Sequence, residues 1–264
     1  MRPITRFACV GAALGLLALG AAGRALAARD ELQRIVQRQC LPNWLRRHDP
    51  APCLAVRPAG PHPAAAMAAD YALLADRKGG AHFLLIPLRT LRGIGSPALL
   101  RADAPNYFAA AWDARSRLGR GTLRPVPADE VGLAVNSRYS RGQDQLHIHI
   151  ECQSAALHAA LGAARSRLTA NWMPLALLGH TYQVRRVMGR SLQHANPLRL
   201  LAEGLPAART HMALYTLVVA GMLFQDGPGF ALLTRRAFLR GGERLLDDTC
   251  AIAAQSPLRR ETGT

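Results

Sequence analysis

The stretch Gln143-Asp-Gln-Leu-His-Ile-His-Ile-Glu-Cys152 constrains this chain more than any other. Leu146, Ile148 and Ile150 alternate with Gln145, His147 and His149, the two-residue period of a strand with one face on a core. Residues i and i+2 of a strand share a face, so Gln145, His147 and His149 form one polar row, expected on an open side of the sheet. Two imidazoles in register admit three uses: nucleophilic chemistry, a pair of metal ligands, or a structural pair. The metal use wants a third ligand, and none stands at a fixed spacing from the pair. Other routes to phosphate or acyl chemistry are absent, since the chain has no Walker lysine, no G-x-G-x-x-G and no G-x-S-x-G.

The flanking sequence predicts the elements that would carry this strand. Tyr71 to Ala75 and His82 to Pro87 read as a β-hairpin around the turn-like Asp76-Arg-Lys-Gly-Gly80. Asp103 and Pro105 open a helix on which Phe108, Ala111, Trp112 and Leu118 recur at helical spacing, with Gly119 as its stop. Phe108 and Trp112 fit a core face better than a base-stacking platform. Val131 to Val135 is a strand, and Arg138 to Gln143 the link into the histidine strand. Upstream, Asp30 to Gln39 reads as a short helix, and residues 41 to 66, with six prolines, as irregular. Downstream, Ser154 caps a helix bearing Leu157, Leu161 and Leu168, Asn196-Pro197 starts another that Gly204 ends, and Leu214 to Phe224 with Phe230 to Thr234 form a second hairpin.

On these residues the chain resembles the histidine-triad nucleotide hydrolases and transferases, and more specifically the CDP-diacylglycerol pyrophosphatase family. The resemblance is carried by Cys40-Leu-Pro-Asn43, Pro52-Cys53, Phe83 to Pro87, Pro105-Asn-Tyr-Phe108, Asn136-Ser-Arg138, the His147/His149 strand, Gly179-His180 and Cys250, and spans about residues 30 to 252. It implies an α+β fold: a histidine-triad-like antiparallel half-barrel over about 68–152, an α+β elaboration over 153–252 in the same domain, and a flexible tail at 253–264. It also implies that His147 attacks the α-phosphorus of a CDP-alcohol, that His149 donates to a phosphoryl or bridging oxygen, and that no cofactor is needed. One departure is Gln145, where the family pattern usually has histidine; here it would supply a neutral hydrogen bond to substrate. Asn136 would contact ribose or phosphate, and Arg138, Arg141 and Gln143 crowd the loop where guanidinium forks suit phosphate. His180 would touch the head group or pack locally. His62, His82, His158, His194 and His211 have no supporting context. The competing readings are a cytidylyl transferase with another acceptor and a non-catalytic nucleotide- or lipid-binding protein.

Composition decides among partners and compartments. The formal net charge is +16, carried by arginine with Lys78 the only lysine, which suits anionic partners. With no basic-aromatic stripe or RNA-binding signature, an anionic membrane surface is expected in preference to nucleic acid. Residues 1–28 form a targeting segment: Arg2 and Arg6, an apolar run from Ala8 to Gly23, and Ala25-Leu-Ala27 as a cleavage site. The residues alone favour a cleaved signal peptide and export to the periplasm, whereas the resemblance implies a retained single anchor at the periplasmic face of the inner membrane; either places the body in the periplasm. Beyond Cys9 the four cysteines form an even set with three possible pairings. The pairing favoured is Cys40–Cys53, a short loop, with Cys152–Cys250. Oligomeric state is left open.

Overall fold

The computed structural model of the protein describes residues 29–59, 69–76, 80–120 and 125–255. The expected targeting segment, the tip of the first predicted hairpin at 77–79 and the end of the expected tail lie outside them. Among the described residues no helix is long and apolar enough to cross a membrane.

One antiparallel sheet organises the structure. Its strands are β1 (Ala55–Arg57), β2 (Tyr71–Ala75), β3 (Phe83–Pro87), β4 (Val131–Val135), β5 (Ile148–Gln153), β6 (Met173–Leu177), β7 (His180–Met188), β8 (Tyr215–Phe224), β9 (Gly227–Arg236) and β10 (Leu246–Asp247). Across the sheet the order is β1-β2-β3-β5-β4-β8-β9-β7-β6, with the short β10 also pairing with β5. The histidine strand therefore lies inside the sheet, between β3 and β4. Because β4 also pairs with β8, the C-terminal half continues the same sheet.

Helices cover both faces, as an α+β fold requires. On one face α3 (Tyr107–Ala114) and α5 (Pro197–Gly204) pack Tyr107, Phe108, Trp112, Leu198 and Leu201 over Leu73, Leu85, Leu133, Ile148 and Ile150. Trp112 is buried, meets Phe230 edge-on at 4.7 Å and donates its indole N–H to Arg190 O, so it belongs to the core. The opposite face carries two separate apolar clusters. Near β2 and β3, the N-terminal helices α1 (Glu31–Ile35) and α2 (Leu41–Arg47), joined by a π-helical turn, help bury Leu32, Val36 and Cys40 with Ala72, Leu84 and Ile86. Near β8 and β9, α4 (Ala155–Ala164) buries Leu157 and Leu161 with Ala134, Val218 and Leu233.

Local chemistry explains the element boundaries. Asn106 caps α3, its side-chain oxygen accepting from Ala109 N at 3.1 Å, so the helix starts at Tyr107, four residues beyond Asp103. Ser154 and Asn196 cap α4 and α5 in the same way, with Pro197 in the first turn of α5. The segment from Leu41 to Arg47, expected to be irregular, is helical, because Pro42 falls in a first turn where its missing N–H is no loss. The tight pair β6–β7 lay outside the sequence reading. Pro174 interrupts a β pattern, and β6 tolerates it as the edge strand of the sheet. The last helix, α6 (Pro206–Thr210) aside, is α7 (Ala251–Gln255), which carries helical structure beyond residue 252.

Among the described residues two disulfides staple the fold: Cys40–Cys53, Cα atoms 5.6 Å apart, and Cys152–Cys250, 5.0 Å apart. The first ties the N-terminal helices to the chain before β1. The second fixes α7 beside the end of β5.

Candidate active site

The register of the sheet builds the site. In the β3–β5 and β4–β5 ladders Leu84 and Ala134 both lie opposite His149, one on each side. Directly opposed residues share a face. Leu84 belongs to the cluster under the N-terminal helices and Ala134 to the cluster under α4, so His149 stands at the seam between them. His82, the residue before β3, reaches Glu151, next in the polar row after His149, at 3.0 Å. The expected alternation is present, with Leu146, Ile148 and Ile150 in the core beneath α3. The expected open face is not: Gln145, His147 and His149 are all buried, at 3%, 6% and 9% exposure. The clusters on either side withdraw the row from bulk water.

Burial fixes the state of His147. Its Nδ1 lies 2.8 Å from the carbonyl oxygen of Gln145. A carbonyl can only accept, so Nδ1 carries the proton and Nε2 keeps its lone pair. Burial, with the neighbouring His149, pushes the imidazole down to about 3; the Gln145 carbonyl pulls the other way, and Arg141 and His82 add to the depression. At neutral pH His147 is an uncharged imidazole in a defined tautomer.

Beside it sits a compact charged group. His82 Nε2 is 3.0 Å from both Glu151 Oε1 and His149 Nδ1, and the two imidazoles stack at 5.2 Å. His149 Nδ1 is itself 3.4 Å from Glu151 Oε1. Burial opposes charge on His82, but Glu151 first, then Asp76 and Asp248, raise it above its ordinary value. Burial would raise Glu151, yet the imidazoles of His149 and His82 beside it hold it down at about 2. Among the described residues His149 Nε2 is buried with no hydrogen-bond partner. His82, His149 and Glu151 are also the described residues that could hold a metal ion, with ligand atoms within 4.8 Å of one another. The third member of such a set comes across the strand pair, not from a spacing near His147.

Gln145 uses its whole amide on backbone. Its Nε2 donates to Pro87 O and Arg89 O at 3.0 and 2.9 Å, and its Oε1 accepts from Leu91 N at 3.2 Å. The side chain thus fastens the loop after β3 to the start of the histidine strand. Asn136, buried at the end of β4, accepts from Gly242 N at 2.8 Å.

A family model described as CDP-diacylglycerol pyrophosphatase matches residues 27–254. The chain belongs to this family. It is 39% identical over 238 residues to a CDP-diacylglycerol pyrophosphatase of Yersinia pestis, covering 87% of each chain. The family match therefore contains the sheet, both disulfides and every residue of the cleft.

Within this pyrophosphatase-family chain the arginine loop forms a cavity of about 440 Å³ lined by Arg29, Arg92, Arg138, Tyr139, Arg141 and Asp144, among others. Arg141 is half-buried, bonds Asp144 Oδ1 through Nε and Nη2 at 3.3 and 3.2 Å, and its charge acts on His147. It lies flat on Gly93, where a Cβ would come within 2.1 Å of the guanidinium and where φ is +61°. Asp144 also accepts from Arg29 at 2.6 Å. Arg138 and Arg141 thus share a cavity beside the histidines. Gln143 instead accepts from Leu32 N at 3.0 Å and tethers α1. His180 is exposed at the start of β7, four strands from β5 and so roughly 19 Å away at the usual strand spacing. His82, Glu151, Arg29 and Arg92 join the site although the sequence singled out none of them. Glu151 was legible as the next residue of the polar row, and His82 shares its parity with Leu84 and Ile86.

Proposed function

We propose that this protein hydrolyses the diphosphate of CDP-diacylglycerol to CMP and phosphatidate, with His147 as nucleophile. Membership of the family and the name of its Yersinia pestis relative support the substrate. The observation that carries the mechanism is the Nδ1–H of His147 held by the Gln145 carbonyl. It leaves a neutral Nε2 lone pair in a buried cleft, the form an imidazole needs to attack phosphorus.

In the first step an Nε2–P bond forms at the cytidine-bearing phosphorus while the bridging P–O bond breaks, its electrons leaving with phosphatidate. His82, raised in pKa and donating through Nε2, makes His149 Nδ1 an acceptor and so places the His149 proton on Nε2. That proton passes to the departing oxygen as the His82 proton moves onto His149 Nδ1. In the second step water attacks the phosphorus and gives a proton to His149 Nε2, the Nδ1 proton returns to His82, the N–P bond breaks, and CMP leaves with His147 restored. Arg138, Arg141 and Arg92 offset the charge that builds on the phosphoryl oxygens. The order hairpin β2–β3, helix α3, hairpin β4–β5 around this strand supports a histidine-triad-like half-barrel as the ancestral core. Four paired cysteines fit an oxidising compartment, in keeping with a body at the periplasmic face of the inner membrane.

His147→Ala should lower CDP-diacylglycerol turnover by at least about a thousandfold in a chain that still folds by circular dichroism, and His149→Ala by about a hundredfold or more. Acid-labile CMP should be trapped on the wild-type chain and be absent from His147→Ala. Equal, mild losses at both positions would refute covalent catalysis. Inhibition by a chelator, reversed by zinc, would assign His82, His149 and Glu151 to a metal instead.

A further inference from the structure

Where β9 leaves the sheet, the chain continues as Ala237-Phe-Leu-Arg-Gly241 with its apolar side chains turned outward. Phe238 is 56% and Leu239 92% exposed. Tyr139, from the arginine loop after β4, is 52% exposed and stacks on Phe238 with ring centroids 5.4 Å apart. Isolated exposed apolar residues need no explanation, but a contiguous projecting group does. This group is braced from behind. Ala237 N donates to Leu214 O at 3.0 Å, the Ser137 hydroxyl donates to Ala237 O, and Gly242 N donates to Asn136. Gly241 is required by the approach, since a Cβ there would lie 2.1 Å from the Asn136 side-chain oxygen.

Charge surrounds the apolar tip. Residues 235–241 contain Arg235, Arg236 and Arg240, residues 137–143 contain Arg138 and Arg141, and neither segment contains an acid. Tyr139 and Arg138 also line the arginine cavity, together with Arg141, whose charge acts on His147. The tip therefore borders the arginine cavity.

We propose that Tyr139, Phe238 and Leu239 enter the interfacial layer of an anionic bilayer, with Arg138, Arg236 and Arg240 at the lipid phosphates. Projecting aromatic and aliphatic side chains within a basic collar are the chemistry of a surface that lies on a membrane. The purpose of such docking rests on the lipid-substrate reading above: the substrate head group would rise into the cavity without its acyl chains leaving the bilayer. A second copy of the chain is the other partner an apolar rim could take, and the arginine collar, which would face itself, argues against it.

The test uses the full chain with Leu239→Cys in a Cys9→Ser background, labelled with nitrobenzoxadiazole. A matched label at Leu223 sits at the opposite end of the β8–β9 hairpin. Phosphatidylglycerol–phosphatidylcholine vesicles should blue-shift and brighten the label at 239 but not at 223, whatever the N-terminal segment does. High salt should weaken the response. In parallel, Phe238→Asp/Leu239→Asp should lose about tenfold or more of turnover on anionic vesicles, the least expected when two large apolar side chains no longer bury. It should keep wild-type turnover in detergent, which also reports that it folds. No shift at 239, or an equal shift at 223, overturns the proposal, as does a shift that needs no lipid and grows with protein concentration. The optical readout requires no turnover, so it fails separately from the substrate assignment.

Discussion

At the residue scale, Gln145 departs most from the resemblance, and the structure gives its amide a task that histidine cannot match. It satisfies two carbonyls and one N–H of the 87–91 loop. An imidazole in one tautomer has one donor and one acceptor, so Gln145→His leaves at least one buried backbone group unpaired. That costs about 1–3 kcal/mol. Gln145→His should therefore lower the unfolding midpoint and reduce turnover; retained stability with raised turnover would show that the loop repacks. His147 makes a second prediction, through protons. Its folded pKa sits near 3 against 6.5 in the unfolded chain, so stability is complete above 6.5 and is lost as pH falls through that value. The slope approaches about 1.4 kcal/mol per pH unit. His82 has the opposite sign: raised from 6.5, it contributes fully below that pH and loses its contribution as pH rises through the folded value. Glu151, lowered from 4.5, contributes above 4.5. Between pH 6.5 and 4.5, then, His147 alone of the three changes its contribution. Urea midpoints should fall across that window in the wild type and less steeply in His147→Gln; parallel slopes would sink the account. The polar row was legible because a strand's period is written in consecutive residues. His82 was not, because its place beside Glu151 depends on a register between segments 69 residues apart, their positions being 82 and 151.

At the element scale, the hairpins β2–β3 and β8–β9 and the capped helices α4 and α5 were readable because each is specified locally, by alternation, turn residues or a cap. The pair β6–β7 escaped because β6 is a five-residue edge strand that carries a proline, and β7 alternates only over part of its length. That β4 pairs with β8 could not be seen either, since no local signal states which strand a second hairpin joins. The disulfides act on this level. Cys152–Cys250 closes a separation of 98 residues and clamps α7 to the end of the catalytic strand, whereas Cys40–Cys53 closes 13. Loop-closure entropy gives the longer bridge about 4–5 kcal/mol and the shorter about 3. Cys152→Ala/Cys250→Ala should be the more destabilised of the two double variants, and it should lose turnover at temperatures where Cys40→Ala/Cys53→Ala still works. The reverse order in denaturant titrations would show that the N-terminal helices, not the C-terminal clamp, hold the sheet together.

At the scale of the whole molecule, 33 basic residues face 17 acidic ones, and the described ion pairs consume few of the arginines. The net charge is therefore strongly positive, which favours the approach of an anionic lipid or nucleotide. Its field is screened within about 10 Å at 0.1 M salt and about 3 Å at 1 M, while the buried contacts of the cleft are screened far less. The two can be separated by salt. Turnover of CDP-diacylglycerol in nonionic micelles should change little as salt rises, because the proposed mechanism neutralises charge at the phosphorus inside the arginine cavity and the withdrawn histidine row. On anionic vesicles it should fall steeply, through weaker association and not through a slower chemical step, since each basic residue near a charged leaflet contributes on the order of 1 kcal/mol. Saturating the reaction with vesicles should then recover the micellar rate. A rate that falls equally in micelles would mean that salt reaches the cleft itself, and the separation of recruiting surface from reacting interior would be abandoned.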